Sequence, residues 1–115
     1  MAIPSGSGTE VLKVAHIAGV TDSESVLING VANHIYSILS ISICETAGAA
    51  ETFDLYIDDN DGGTDHYIYK TQALGANETF EHTSRLVLEE NDMLGFITAS
   101  SADVDVTVHY LEQTL

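Results

Sequence analysis

The sequence predicts an all-β protein: a single antiparallel β-sandwich, jelly-roll or immunoglobulin-like, with about seven or eight strands. Three observations lead there. Apolar and polar residues alternate in short runs, most clearly Val104, Val106, Val108 and Tyr110 against Asp105, Thr107, His109 and Leu111. Successive side chains of a strand point to opposite faces, so one set meets a core and the other meets water. Turn-forming clusters recur about every ten residues, and no window carries sustained apolar residues at helical spacing, so little or no helix is expected.

Residues 1–8, MAIPSGSG, are small or polar and hold the single proline, which predicts a flexible N-terminal arm ahead of a sandwich domain spanning 9–115. Thr9 to Val20 reads as a mixed strand with Leu12 and Val14 on one face, followed by a polar connection to Ser25. Val26 to Ile28 is a short strand stopped by Asn29-Gly30, both tolerant of positive φ. His34 to Cys44, HIYSILSISIC, is the strongest strand signal. Strict alternation puts Ile35, Leu39, Ile41 and Ile43 on one face, and Tyr36, Ile38, Ser40, Ser42 and Cys44 on the other.

The small-residue turn ETAGAAE leads to a strand in which Phe53, Leu55 and Ile57 alternate with Asp54, Tyr56 and Asp58. DDNDGGTD then turns the chain, and His66 to Lys70 completes a hairpin. After the turn LGANE, Thr79 to Thr83 starts another strand. Leu86 to Glu112 reads as a closing antiparallel pair around a tight Ser100-Ser101-Ala102-Asp103 turn. No repeat or second domain is visible.

The 115 residues carry 18 Asp and Glu against 3 Lys and Arg, a formal net charge of −15, with 44% hydrophobic residues. Such a chain buries roughly two thirds of its unfolded surface, enough for one core. Nucleic-acid binding needs cations that displace counterions from phosphates. With Lys13, Lys70 and Arg85 as the whole supply, no nucleic acid and no anionic membrane is expected as a partner. The acidity favours solubility and discourages indiscriminate association. Cys44 stands alone, excluding an intrachain disulfide, and its apolar run predicts a buried, inert thiol. No apolar stretch approaches the roughly 18 to 20 residues of a membrane helix, and the first residues lack the features of a signal peptide, so synthesis in a cytoplasm is expected.

Chemistry is hard to find. Asp58 to Asp65 concentrates carboxylates, but counted as an EF-hand loop from Asp58 its sixth position is Gly63 and its twelfth is Tyr69, so the bidentate glutamate is missing. His16, His34, His66, His82 and His109 fall one per strand without the His-x-His pair that would aim two imidazoles inward. Gly6-Ser7-Gly8 is not a nucleophile elbow, and the arm lacks the lysine of a phosphate loop. No catalytic residue, metal or cofactor is assigned, and a non-enzymatic role is expected. Tyr67 and Tyr69 share a strand face on strict alternation and are candidates for contact with a partner, together with Ile3 and Pro4 of the arm.

Three segments, VLINGVANHIYSILSISICETAGAAETFDLYI, LGANETFEH and LVLEENDMLGFITASSADVDVTVHYLE, carry a family likeness between them. Their order of short strand, long strand, small-residue loop, hairpin and closing pair resembles the small virion structural proteins of tailed bacteriophages, over about Thr9 to Glu112. The resemblance implies a capsid decoration, or cement, protein: a homotrimer on the capsid exterior that bridges subunits of the major capsid protein. Its alternative is a tail, neck or head-fibre module that recognises a host glycan or forms a ring.

Overall fold

The computed structural model describes residues 9–20, 23–59, 62–99 and 104–115, and among them the regular elements are nine strands and no helix. They are β1 (Thr9–Val20), β2 (Ser25–Asn29), β3 (His34–Glu45), β4 (Glu51–Asp58), β5 (Asp65–Leu74), β6 (Thr79–His82), β7 (Leu86–Leu88), β8 (Met93–Thr98) and β9 (Val104–Thr114). One sheet runs β1-β9-β3-β6, with β7 also paired to β3, and the other runs β2-β8-β4-β5. All pairings are antiparallel.

The connections settle which kind of sandwich this is. Apart from the β4–β5 hairpin and the β6–β7 step, each link carries the chain from one sheet to the other. β6 and β7 lie end to end along β3, with Ile41 opposite His82 and Ile38 opposite Leu86. Counted as one interrupted edge strand, they leave two four-stranded sheets in jelly-roll order. The same topology corrects one expectation. β8 and β9 are consecutive but are not partners: β8 lies between β2 and β4, whereas β9 lies between β1 and β3. The Ser100–Asp103 segment lies outside the described residues.

The core fills the space between the sheets. Ile38, Ile41, Ile43, Leu88, Val104, Val106 and Val108 enter it from the first sheet, and Leu27, Phe53, Leu55, Leu74, Leu94 and Phe96 from the second. Phe53 sits among aromatic rings, with centroids 5.2 Å from Phe96, 5.4 Å from Phe80 and 6.1 Å from Tyr69. On the far side of the second sheet Tyr56 lies across Gly95, where an added Cβ would stand 2.5 Å from the ring. Glycine is the residue that lets this buried ring lie flat on the backbone.

β3 departs from strict alternation. Its pairing with β9 shifts between Ile38 and Ser40, so Leu39 is an extra residue in the ladder. A bulge of this kind reverses which face the following residues take. Tyr36 and Ile38 therefore point inward before it, and Ile41, Ile43 and Glu45 point inward after it. Leu39, which strict alternation sets on one face with Ile41 and Ile43, is 39% exposed where those two are fully buried, and Ile35 is only half-buried. Cys44 falls on the outward phase and is half-buried, not the buried thiol expected, with its Sγ 3.8 Å from the Glu45 carbonyl oxygen. The bulge has a direct mutational signature. Ile38→Ala and Ile41→Ala should each cost about 2–5 kcal/mol, whereas Leu39→Ala should stay within about 1 kcal/mol in urea denaturation. Equal losses at all three positions would contradict the phase switch.

Candidate interaction surface

Of the residues proposed from sequence, the two described, Tyr67 and Tyr69, do not converge. Ile3, Pro4 and the rest of the N-terminal arm lie outside the described residues. Tyr67 and Tyr69 are separated by a second bulge: Leu55 faces Tyr69 and Tyr56 faces Tyr67, which leaves Ile68 as an extra residue on β5. Tyr67 consequently turns outward, 47% exposed, with Tyr56 at 5.5 Å and the Lys70 Nζ 4.5 Å over its ring. Tyr69 turns inward, packing edge-on to Phe53 and Phe80 and hydrogen-bonding His82 Nδ1 at 2.8 Å. That bond ties β5 to β6 and so links the two sheets. The shared tyrosine face expected from alternation does not exist.

The acidic hairpin tip organises itself. Asp59 accepts the Thr64 N–H at 3.0 Å and pairs with His66 at 2.8 Å, and Asp58 accepts the Gly62 N–H. The His66 contact first, then the Thr64 N–H, hold the Asp59 carboxyl below its ordinary range. Among the described residues no three His, Cys, Asp or Glu side chains gather as a metal-binding group. Further along the same sheet, Asp54 accepts from Lys70 Nζ and from the Thr71 N–H. It thereby steadies Thr71 at a φ of 52°, where a β-branched residue is strained.

Sequence reasoning missed Glu45. This carboxylate is 1% exposed and accepts backbone N–H groups from Ala47, Gly48 and Ala49 at 2.9–3.2 Å. It also accepts one from Asn77 at 2.9 Å, while the Glu45 N–H donates to the Glu78 carbonyl. One side chain thus fastens the β3–β4 loop to the β5–β6 loop. The bond from Asn77 and those from the β3–β4 loop outweigh burial and depress the Glu45 pKa. A glutamate at a strand end, one residue ahead of the small-residue stretch Ala47-Gly48-Ala49-Ala50, was the available signal. In the second sheet Tyr56 donates to Glu24, and burial, followed by this bond, pushes its phenol above the usual range.

The outward face of the β1-β9-β3-β7 end is apolar. Register lines up Leu12, Leu111, Ser37 and Val87 in one row across four strands. The next row holds Val14, His109 and Ser40, with Leu39 beside it in the bulge; Ile35 lies opposite Gln113 on the other side. Leu12 is 73% exposed and Val87 58%, high values for large aliphatic side chains. Farther along the same face the rows become polar, with His16 bonded to Thr107 and Asp105 to the Gly19 N–H.

No protein-family model matches the chain, and no curated protein sequence matches it. Solved structures do. A Bacillus endospore appendage subunit, from a family of disulfide-linked pili, superposes with a TM-score of 0.59 at 13% identity, over 100% of this chain and 96% of that one. A chain of the cyanophage Pam1 capsid asymmetric unit gives 0.53 at 18% identity, over 100% and 93%. A chain from the capsid of the Helicobacter pylori bacteriophage KHP30 gives 0.50 at 13% identity, over 91% of each. At such identities the likeness is one of fold, and it extends over nearly the whole of each partner.

The Glu45 arrangement fixes an acid response. Because its folded-state pKa is depressed, its contribution is complete above the ordinary value of 4.5 and is lost as pH falls through the folded value. Glu45→Gln should lower the melting temperature on the order of 10 °C near neutral pH, because an amide offers fewer acceptors to these donors. The gap from wild type should narrow as the pH drops below 4.5. Thermal denaturation followed by circular dichroism checks this, and a gap independent of pH contradicts it.

Proposed function

We propose that this chain is a non-enzymatic structural protein of a phage virion, in the role of a capsid decoration or cement protein. It sits on the exterior of the head as a homotrimer, is made in the host cytoplasm, and stabilises the shell by bridging subunits of the major capsid protein. The observation that carries the reading is a jelly roll matching a phage capsid chain over 100% of one and 93% of the other, combined with an outward apolar face that its own core does not use. The net charge of −15 supports an exterior position, away from packaged DNA, and contact with proteins in place of nucleic acid or membrane. Side-chain chemistry fits as well. Glu45, Asp54 and Asp59 spend their oxygens on backbone and neighbouring side chains, as a scaffold requires.

Mechanically, each copy contributes a modest contact, and the sum over many copies favours the assembled shell by mass action. A tail, neck or fibre module, including a filament subunit, is the second reading, favoured by the likeness to the pilus subunit. Disulfide linkage along a filament needs two cysteines per subunit, however, and this chain has Cys44 alone. Quantitative mass spectrometry of purified particles separates the readings. A decoration protein should appear in molar proportion to the major shell subunit, whereas a few copies per particle would transfer the chain to the tail or neck.

A further inference from the structure

We propose that the apolar face of the β1-β9-β3-β7 end docks a partner protein surface that is itself apolar at its centre and carries a lysine or arginine at its rim. The inference rests on the shell reading above and says which face makes the contact and what chemistry it meets. The face is formed by Leu12, Val14, Ile35, Leu39, Val87 and Leu111, all on the solvent side of a sheet whose other side already holds the core. It ends at a pocket of about 310 Å³ in which Ile35, Val87 and Leu115 meet Glu89 and Glu90.

This end is rigidly built. The Asn33 N–H donates to Glu90 Oε2 at 2.8 Å and the Leu115 N–H to the Asn33 carbonyl at 2.8 Å. The Glu89 N–H donates to Asp92 Oδ2, and Gly30 N–H to the Asp92 carbonyl. Both glutamates thus stand on a fixed turn beside aliphatic side chains. An apolar floor next to carboxylates suits a long cationic side chain, whose methylenes lie on the floor while its charge meets the rim.

Two quantities argue for a foreign partner in place of a second copy. The first is charge: the chain has 18 carboxylates and 3 cations, of which Lys13 and Lys70 are already paired with Glu112 and Asp54. Two such faces brought together would oppose like charges, which disfavours the pairing. The second is size. Four strands about 4.8 Å apart and three rows of side chains make a face on the order of 400 Å², roughly half of the 800 Å² per partner in a standard stable interface. A face of that size is too small to hold an isolated dimer, yet it suffices where many copies bind one lattice.

The test adds purified full-length chain to phage heads assembled without it and measures occupancy. Wild type should attach. Leu12→Ser with Val87→Ser should weaken attachment about tenfold or more, and Glu89→Lys should weaken it comparably. Asp65→Lys, which changes the net charge equally but lies on the β4–β5 hairpin, should alter it less than about twofold. Unchanged melting curves establish that the variants are folded. Attachment of the face variants at wild-type strength overturns the inference while leaving the shell reading in place, as does equal loss with Asp65→Lys. Failure of wild type to attach overturns the shell reading and the inference with it. Wild-type chain that sediments as a dimer, and becomes monomeric on Leu12→Ser with Val87→Ser, makes the face a self-contact and also overturns the inference.

Discussion

β3 must serve two incompatible phases. It pairs with β9 along its whole length and with β6 and β7 on its other edge, so every residue of the first sheet takes its register from this strand. A strand with one phase would bury either Tyr36 and Ile38 or Ile41 and Ile43, leaving the other pair in water. Because burial of an Ile side chain is worth about 1.5–3 kcal/mol, a single extra residue at Leu39 is the cheaper solution. Its by-product is an exposed leucine. The residue expelled by the bulge joins Leu12, Val14 and Val87 on the outward face, where none of the described strands covers it.

The second constraint is at the loops. A jelly roll crosses between sheets repeatedly, so its ends collect connections whose backbone groups lack ladder partners. Glu45 resolves this at one end by accepting four N–H groups from two loops, and Asn33 does so at the other by joining Glu90 to the C-terminal Leu115. The inter-sheet bond between Tyr69 and His82 is a further tie, and it leaves His82 Nε2 buried without a hydrogen-bond partner among the described residues. The scaffold is therefore pinned by polar contacts at its periphery and by apolar packing at its centre. Such rigidity suits a surface that must be presented without rearrangement.

Much of this was legible in the residues. Alternation in β4 and β9, the hairpin over Asp58 to Asp65, the Asn29-Gly30 stop and the lack of helical period together specify two packed antiparallel sheets. What alternation hides is its own interruption. The bulges at Leu39 and Ile68 have no compositional mark, since leucine and isoleucine suit either face, and each one broke a face expected from alternation: Leu39 was grouped with Ile41 and Ile43, and Tyr69 with Tyr67. Sheet membership was equally hidden. A short link between β8 and β9 reads as a hairpin, but β2 and β4 take both edges of β8 while β1 and β3 take both edges of β9, which puts the two strands in different sheets. Glu45 looked like an ordinary polar strand end because its partners include Asn77, far away in sequence.

Assembly through the open side of the first sheet is the central claim, and the particle itself tests it most directly. A high-resolution reconstruction of the native virion should show the row Leu12, Leu111 and Val87 covered by a neighbouring protein, with a basic side chain near Glu89. Density in which that row faces solvent while the Tyr67 side or another face makes the contacts would contradict the account.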